Sequence, residues 1–125
     1  MQSLPGLDPA SLSASERRAL TRLTRLLEQR LGDELVAVWL YGSRARGEPL
    51  HEESDVDVIV VTRSGREDWD SVYRALVEAA DAEGENPFAF SLHVFDPEWI
   101  ADRRGIESFF MREVDRDKIV LAGTP

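Results

Sequence analysis

Two carboxylates two residues apart, Asp55 and Asp57, stand at the head of the apolar stretch DVDVIVVT (55–62). In a strand, alternate side chains share a face, so the two acids point the same way. Like charges side by side at the start of an apolar strand are unfavourable unless water or a cation relieves them. Mg²⁺ suits the arrangement, because it takes oxygen ligands and commonly uses one or two carboxylates together with substrate phosphates. Taken alone, the pair reads equally as two solvated aspartates. Upstream, the run WLY (39–41) stops at Gly42-Ser43, followed by Arg44, Ala45, Arg46 and Gly47. Gly42 permits a tight turn and a close backbone approach. Ser43 offers a hydroxyl and opens a segment whose N–H groups can face an anion. Alone, this is an ordinary strand-to-loop turn. Gly42 and Gly47 also fit the first part of a P-loop, but Glu48 and Pro49 stand where Lys and Ser/Thr are required, which rules that reading out.

The elements needed to position these residues are legible in the pattern. Ser13-x-x-Glu16 is a capping box. Leu20, Leu23, Leu27 and Leu31 follow at helical spacing, which predicts an amphipathic helix over 15–31 that ends at Gly32. LVAVWLY (35–41) and DVDVIVVT (55–62) read as buried strands, with a short helix and a loop over 42–54 between them. Trp69, Val72, Tyr73, Leu76, Val77 and Ala80 give a 3.6-residue stripe across 67–83. FAFSLHVF (88–95) is a third strand. Asp96-Pro97 opens a helix with Asp as N-cap, and a further helix over 105–115 has Ile106, Phe109, Phe110 and Val114 as its apolar side. KIVLAG (118–123) reads as a final short strand. The order implies an α+β (two-layer α/β) domain, a mixed β-sheet with helices packed on one side. Residues 13–125 form that single domain, and the Pro/Gly/Ser-rich residues 1–12 read as a flexible lead-in.

Together, GSRARG and DVD, with eleven residues between Ser43 and Asp55, resemble the signature of the nucleotidyltransferase superfamily with the DNA polymerase β-like fold. The flanking strands and the later helix–strand–helix order look like the minimal single-domain nucleotidyltransferases, over about residues 15–121. The resemblance implies that Gly42 and Ser43 hold the triphosphate of an NTP, ATP in the first instance. It implies that Asp55 and Asp57 bind Mg²⁺, two ions in an active enzyme, and that AMP passes to a hydroxyl of a partner protein or small molecule. Arg44 and Arg46 either assist the phosphates or form structural ion pairs. Active members usually carry a third carboxylate on a later strand. FAFSLHVF has none; Ser91 and His93 share one of its faces. His93 is either the replacement base or an ordinary strand histidine, and Asp96 is either a displaced third acid or the helix cap.

Bulk properties limit the classes further. A chain of 125 residues with 42% hydrophobic and 31% charged residues is that of a globular domain. Its net charge of −9 argues against non-specific nucleic-acid or membrane-surface binding. There is no cysteine, no bilayer-length apolar run and no leader-like start, which fits a cytoplasmic protein. Minimal nucleotidyltransferases often serve as antitoxins of helical HEPN-domain ribonuclease toxins. The resemblance therefore implies a toxin–antitoxin partner, or a homo-oligomer. The alternative is a catalytically weak or inactive binding subunit on the same fold.

Overall fold

The computed structural model describes residues 7, 10–48 and 55–125. Residues 49–54 of the expected loop, and residues 1–6, 8 and 9 of the lead-in, lie outside the described residues. Five helices and four strands follow in the order α1 (Ala14–Leu31), β1 (Leu35–Tyr41), α2 (Gly42–Ala45), β2 (Val56–Thr62), α3 (Trp69–Ala82), β3 (Phe90–Phe95), α4 (Pro97–Gly105), α5 (Phe109–Asp117) and β4 (Ile119–Gly123). The sheet order is β3-β2-β1-β4. β1 runs antiparallel to both β2 and β4, and β2 runs parallel to β3, so the sheet is mixed.

Strand alternation divides the core. Val38, Leu40, Val56, Val58, Val60 and Val94 pack on one face against Leu20, Leu23 and Leu27 of α1 and Val72, Leu76 and Ala79 of α3. This is the main helical layer, and fully burying each such Leu or Val contributes about 1.5–3 kcal/mol. The other face carries a smaller cluster, in which Trp39, Ile59, Val61 and Phe95 meet Ile100 of α4 and Met111 and Val114 of α5. Among the described residues no helix is long and apolar enough to cross a membrane.

The start of α1 is fixed as its sequence predicts. The Ser13 side chain accepts from the Glu16 backbone N–H, and the Glu16 carboxylate accepts from the Ser13 N–H. Of the lead-in, the described residues Leu7, Ala10 and Leu12 are buried in the main core. Arg17 ties them down by donating to the Leu7 and Ala10 carbonyls at 2.5 and 2.7 Å. Asp96 caps α4 by accepting from the Trp99 N–H at 2.7 Å, with Pro97 in the first turn.

The last helix differs from the expected phase. Ser108 is the N-cap, accepting from the Met111 N–H at 3.2 Å, so α5 begins at Phe109 rather than near 105. Met111 and Val114 turn inward, while Ile106 and Phe109, expected on the apolar side, are 68% and 75% exposed. The α4–α5 turn passes through Glu107 at φ 53°, which breaks the helical phase between the two segments.

Candidate nucleotide site

The site is assembled at the C-terminal end of β1 and the N-terminal end of β2. The pairing sets Tyr41 opposite Asp57, and Asp57 opposite Ser91 of β3. Asp57 therefore lies on the sheet face away from α1 and α3, flanked on both neighbouring strands. Asp55 is exposed, immediately before β2. Directly after β1 the chain turns at Gly42, with φ +76°.

Gly42 is where the two halves of the motif meet. A Cβ built on it would collide with Asp57 Oδ2 and lie 3.3 Å from Asp57 Cγ. Both the positive φ and this contact require glycine here. The backbone of the Gly-Ser turn thus lies against the carboxylate of the Asp pair.

Electrostatics at Asp57 are strained. Burial, followed by the Asp55 charge, pushes its carboxyl above the usual aspartate range, and Arg44 and Arg46 only partly counter this. A half-buried carboxylate with a like-charged neighbour and, among the described residues, no hydrogen-bond donor suits a cation. Among the described residues no group of three acidic or histidine side chains converges as a metal cluster. Asp55 and Asp57 are the carboxylates that could hold a divalent cation, and Mg²⁺ commonly takes one or two carboxylates together with substrate phosphates.

The two arginines separate. Arg44 is buried, and its Nη1 donates to Glu16 Oε1 at 2.8 Å and to the Ser11 carbonyl at 3.1 Å. Burial opposes the charge on Glu16, but the hydrogen bonds from Arg44 and Ser13 hold its carboxyl below the ordinary range. Ser11 N–H returns a bond to the Arg44 carbonyl at 2.8 Å, so α2 is locked to the start of α1. Arg46 faces a cavity of about 330 Å³ and pairs with Glu48 at 2.8 Å and Asp117 at 3.1 Å.

That cavity brings together Gly42, Ser43, Arg46 and Asp57 with Tyr41 and one face of α5. The α5 residues are Phe110, Glu113, Val114 and Asp117, at i, i+3, i+4 and i+7, the spacing of a single helical stripe. Sequence reading did not place them in the site. The available signal was two acids falling on the same stripe as Phe110 and Val114, where a purely structural helix would be apolar.

His93 lies one groove away, in a second space of about 350 Å³ along β3 with Arg66, Trp69 and Phe95. Its imidazole sits among rings: Phe95 stacked at 5.7 Å, Phe110 at 6.2 Å and Tyr41 at 6.3 Å. Burial depresses its pKa, so the ring is neutral at pH 7. Ser91 of β3 pairs opposite Asp57 of β2. Asp96 is engaged as the cap of α4.

The sequence matches the nucleotidyltransferase domain family over residues 20–118, most of the chain. The chain belongs to the nucleotidyltransferase domain family. No curated protein matches it. The matched span runs from inside α1 to the end of α5, so it contains the Gly-Ser turn, Asp55 and Asp57, and the α5 stripe that closes the cavity. Nucleotidyl transfer is the general chemistry of the family, and a nucleotide is its substrate class.

Proposed function

We propose that the protein is a Mg²⁺-dependent nucleotidyltransferase that moves AMP from ATP to a hydroxyl group. The observation that carries this reading is the contact of Gly42 with the Asp57 carboxylate in one cavity with Ser43 and Arg46. In it, Gly42 and Ser43 hold the β- and γ-phosphates. Asp55 and Asp57 hold the divalent cations, and Arg46 adds positive charge on the same wall. Arg44 supports the turn from behind through Glu16. The cations, when bound, neutralise the phosphate oxygens and polarise the α-phosphorus. The acceptor oxygen forms a bond to the α-phosphorus, the bond from that phosphorus to the pyrophosphate oxygen breaks, and pyrophosphate leaves. The acceptor approaches along β3, where neutral His93 takes its proton. The chain contributes mainly position and charge, as phosphoryl-type chemistry requires.

The acceptor is proposed to lie on a partner protein, with a helical HEPN-type toxin as the reading that the family resemblance suggests, and the site to act in the cytoplasm. A second reading is favoured by Ser91. With serine beside Asp57 in place of an acid, the fold can bind a nucleotide and a partner while turning over weakly. Incubation with Mg²⁺, α-labelled ATP and the products of neighbouring genes separates the two. Label transfer that disappears in Asp55→Asn and Asp57→Asn supports the enzyme. Absence of transfer in the wild type, with partner silencing intact in both variants, supports the binding subunit instead.

A further inference from the structure

One wall of the site is aromatic, and the phosphate chemistry does not use it. Phe110 lines the same cavity as Gly42, Ser43 and Arg46, together with Tyr41. Its ring is only half-buried, yet its plane is fixed from several sides. It meets Tyr41 at 5.8 Å and 81°, His93 at 6.2 Å and 68°, Phe95 at 6.4 Å and 81°, and Trp99 at 6.4 Å and 74°. Edge-on contacts of this kind are the favoured packing of aromatic rings and hold Phe110 without burying it. Trp99 is itself backed by Phe95, stacked at 3.8 Å. A half-exposed ring, held by its neighbours at the edge of a cavity that also carries Arg46, Asp57, Glu113 and Asp117, is suited to a ligand with both a π-face and charge.

We infer that Phe110, backed by Tyr41, is the platform on which the nucleobase of the bound nucleotide stacks. This rests on the proposed nucleotide site. With the phosphates at Gly42 and Ser43, the remainder of the nucleotide extends across the cavity to α5, where Phe110 stands. Stacking recognises any base through its π-face, typically at about 1–3 kcal/mol per base, and larger purine surfaces gain more. Among the described residues the cavity lining contains no Asn or Gln side chain, and the charged Arg46, Glu113 and Asp117 are there to hydrogen-bond a base edge. The platform itself favours purine over pyrimidine, and stacking alone does not separate adenine from guanine.

The test compares Mg²⁺-ATP, Mg²⁺-CTP and Mg²⁺-tripolyphosphate by calorimetry on the wild type, Phe110→Ala and Phe110→Leu. Leucine keeps apolar bulk without a π-face, so it controls for local collapse. The expected result is ATP binding at least tenfold tighter than tripolyphosphate, with CTP between them. Phe110→Ala and Phe110→Leu should bring ATP to within about twofold of tripolyphosphate while leaving tripolyphosphate affinity unchanged. Equal wild-type binding of ATP and tripolyphosphate overturns the platform while leaving the phosphate site standing, and assigns the ring to something else, such as an acceptor. Unchanged ATP affinity in both variants overturns it as well. If neither ATP nor tripolyphosphate binds, the nucleotide site itself falls, and the platform with it.

Discussion

Replacing Gly42 by alanine separates backbone strain from disruption of the site. At φ +76° an L-residue in the left-handed region costs about 1–2 kcal/mol. Alanine also restricts the unfolded chain, which returns about 0.4–1 kcal/mol. The net loss of stability is therefore about 1 kcal/mol, or a few degrees in Tm for a domain of this size. The larger effect is local. The new methyl group would overlap Asp57 Oδ2, and the short aspartate side chain must rotate to escape it. A cation ligand displaced by about 1 Å loses its geometry, and misplacements of that size cost up to about a hundredfold in rate. Gly84 is the matched control: its φ is +72°, and a Cβ there meets nothing within 4 Å. Gly42→Ala and Gly84→Ala should thus lose similar stability by thermal denaturation. Calorimetry with Mg²⁺-ATP should show at least a tenfold loss of affinity, about 1.4 kcal/mol, in Gly42→Ala alone. Equal, near-wild-type affinity in both variants would refute the claim that the turn and the Asp pair form one site.

Other substitutions probe the remaining supports. The Asp57 carboxyl is pushed up by burial and by Asp55, so its ionisation weakens the native state as pH rises through its raised pKa. Asp57→Asn should therefore raise Tm at pH 7 and flatten the pH dependence of stability just above the ordinary aspartate range, as followed by circular dichroism. Wild-type Mg²⁺-ATP affinity should weaken on acidification at a higher pH than an unperturbed aspartate would give. Arg44→Ala removes the buried partner of part-buried Glu16, which keeps its bond from the Ser13 N–H, and should cost about 1.5–3 kcal/mol in urea unfolding, whereas Arg46→Ala, at a half-exposed pair, should cost under about 1 kcal/mol. Gly123→Ala would drive a methyl group into the Val36 carbonyl, 2.8 Å from its carbon, and should detach β4 from β1, seen as rapid amide exchange along β4. His93→Phe keeps the ring packing, so it should retain the fold; loss of label transfer with retained Mg²⁺-ATP binding would mark His93 as the proton acceptor, and unchanged transfer would remove it from that role.

Much of the fold can be read from periodicity because its helices and strands are strongly patterned. The leucines of α1 and the capping box at Ser13 and Glu16 set that helix almost to the residue. The alternation of Asp57, Ile59 and Val61 against Val56, Val58 and Val60 assigns the two faces of β2. The mixed sheet with helices packed against it follows from the element order. The phase of α5 was not legible, because its start is decided by the Ser108 cap and the turn at Glu107, while FF (109–110) offers two equally apolar registers. With the phase hidden, the cavity wall formed by Phe110, Glu113 and Asp117 was hidden too. Gly42, Ser43, Asp55 and Asp57 stand out through their joint resemblance to the family signature, because each half alone reads as an ordinary turn or a solvated pair. That Gly42 touches the Asp57 carboxylate needs the β1–β2 register. The division of labour between Arg44 and Arg46 depends on which face of the four-residue α2 meets α1 and which meets α5. Their sequence context, R-A-R, does not distinguish them.

The Gly-Ser turn and the Asp pair are proposed to form a single metal–nucleotide site. The most direct measurement of that site is calorimetric titration of ATP into the wild type with Mg²⁺ and with EDTA, and into Asp57→Asn with Mg²⁺. Saturable one-site binding that requires Mg²⁺ and weakens at least tenfold in Asp57→Asn is the predicted result. ATP binding of equal strength in EDTA, or undiminished in Asp57→Asn, would contradict it.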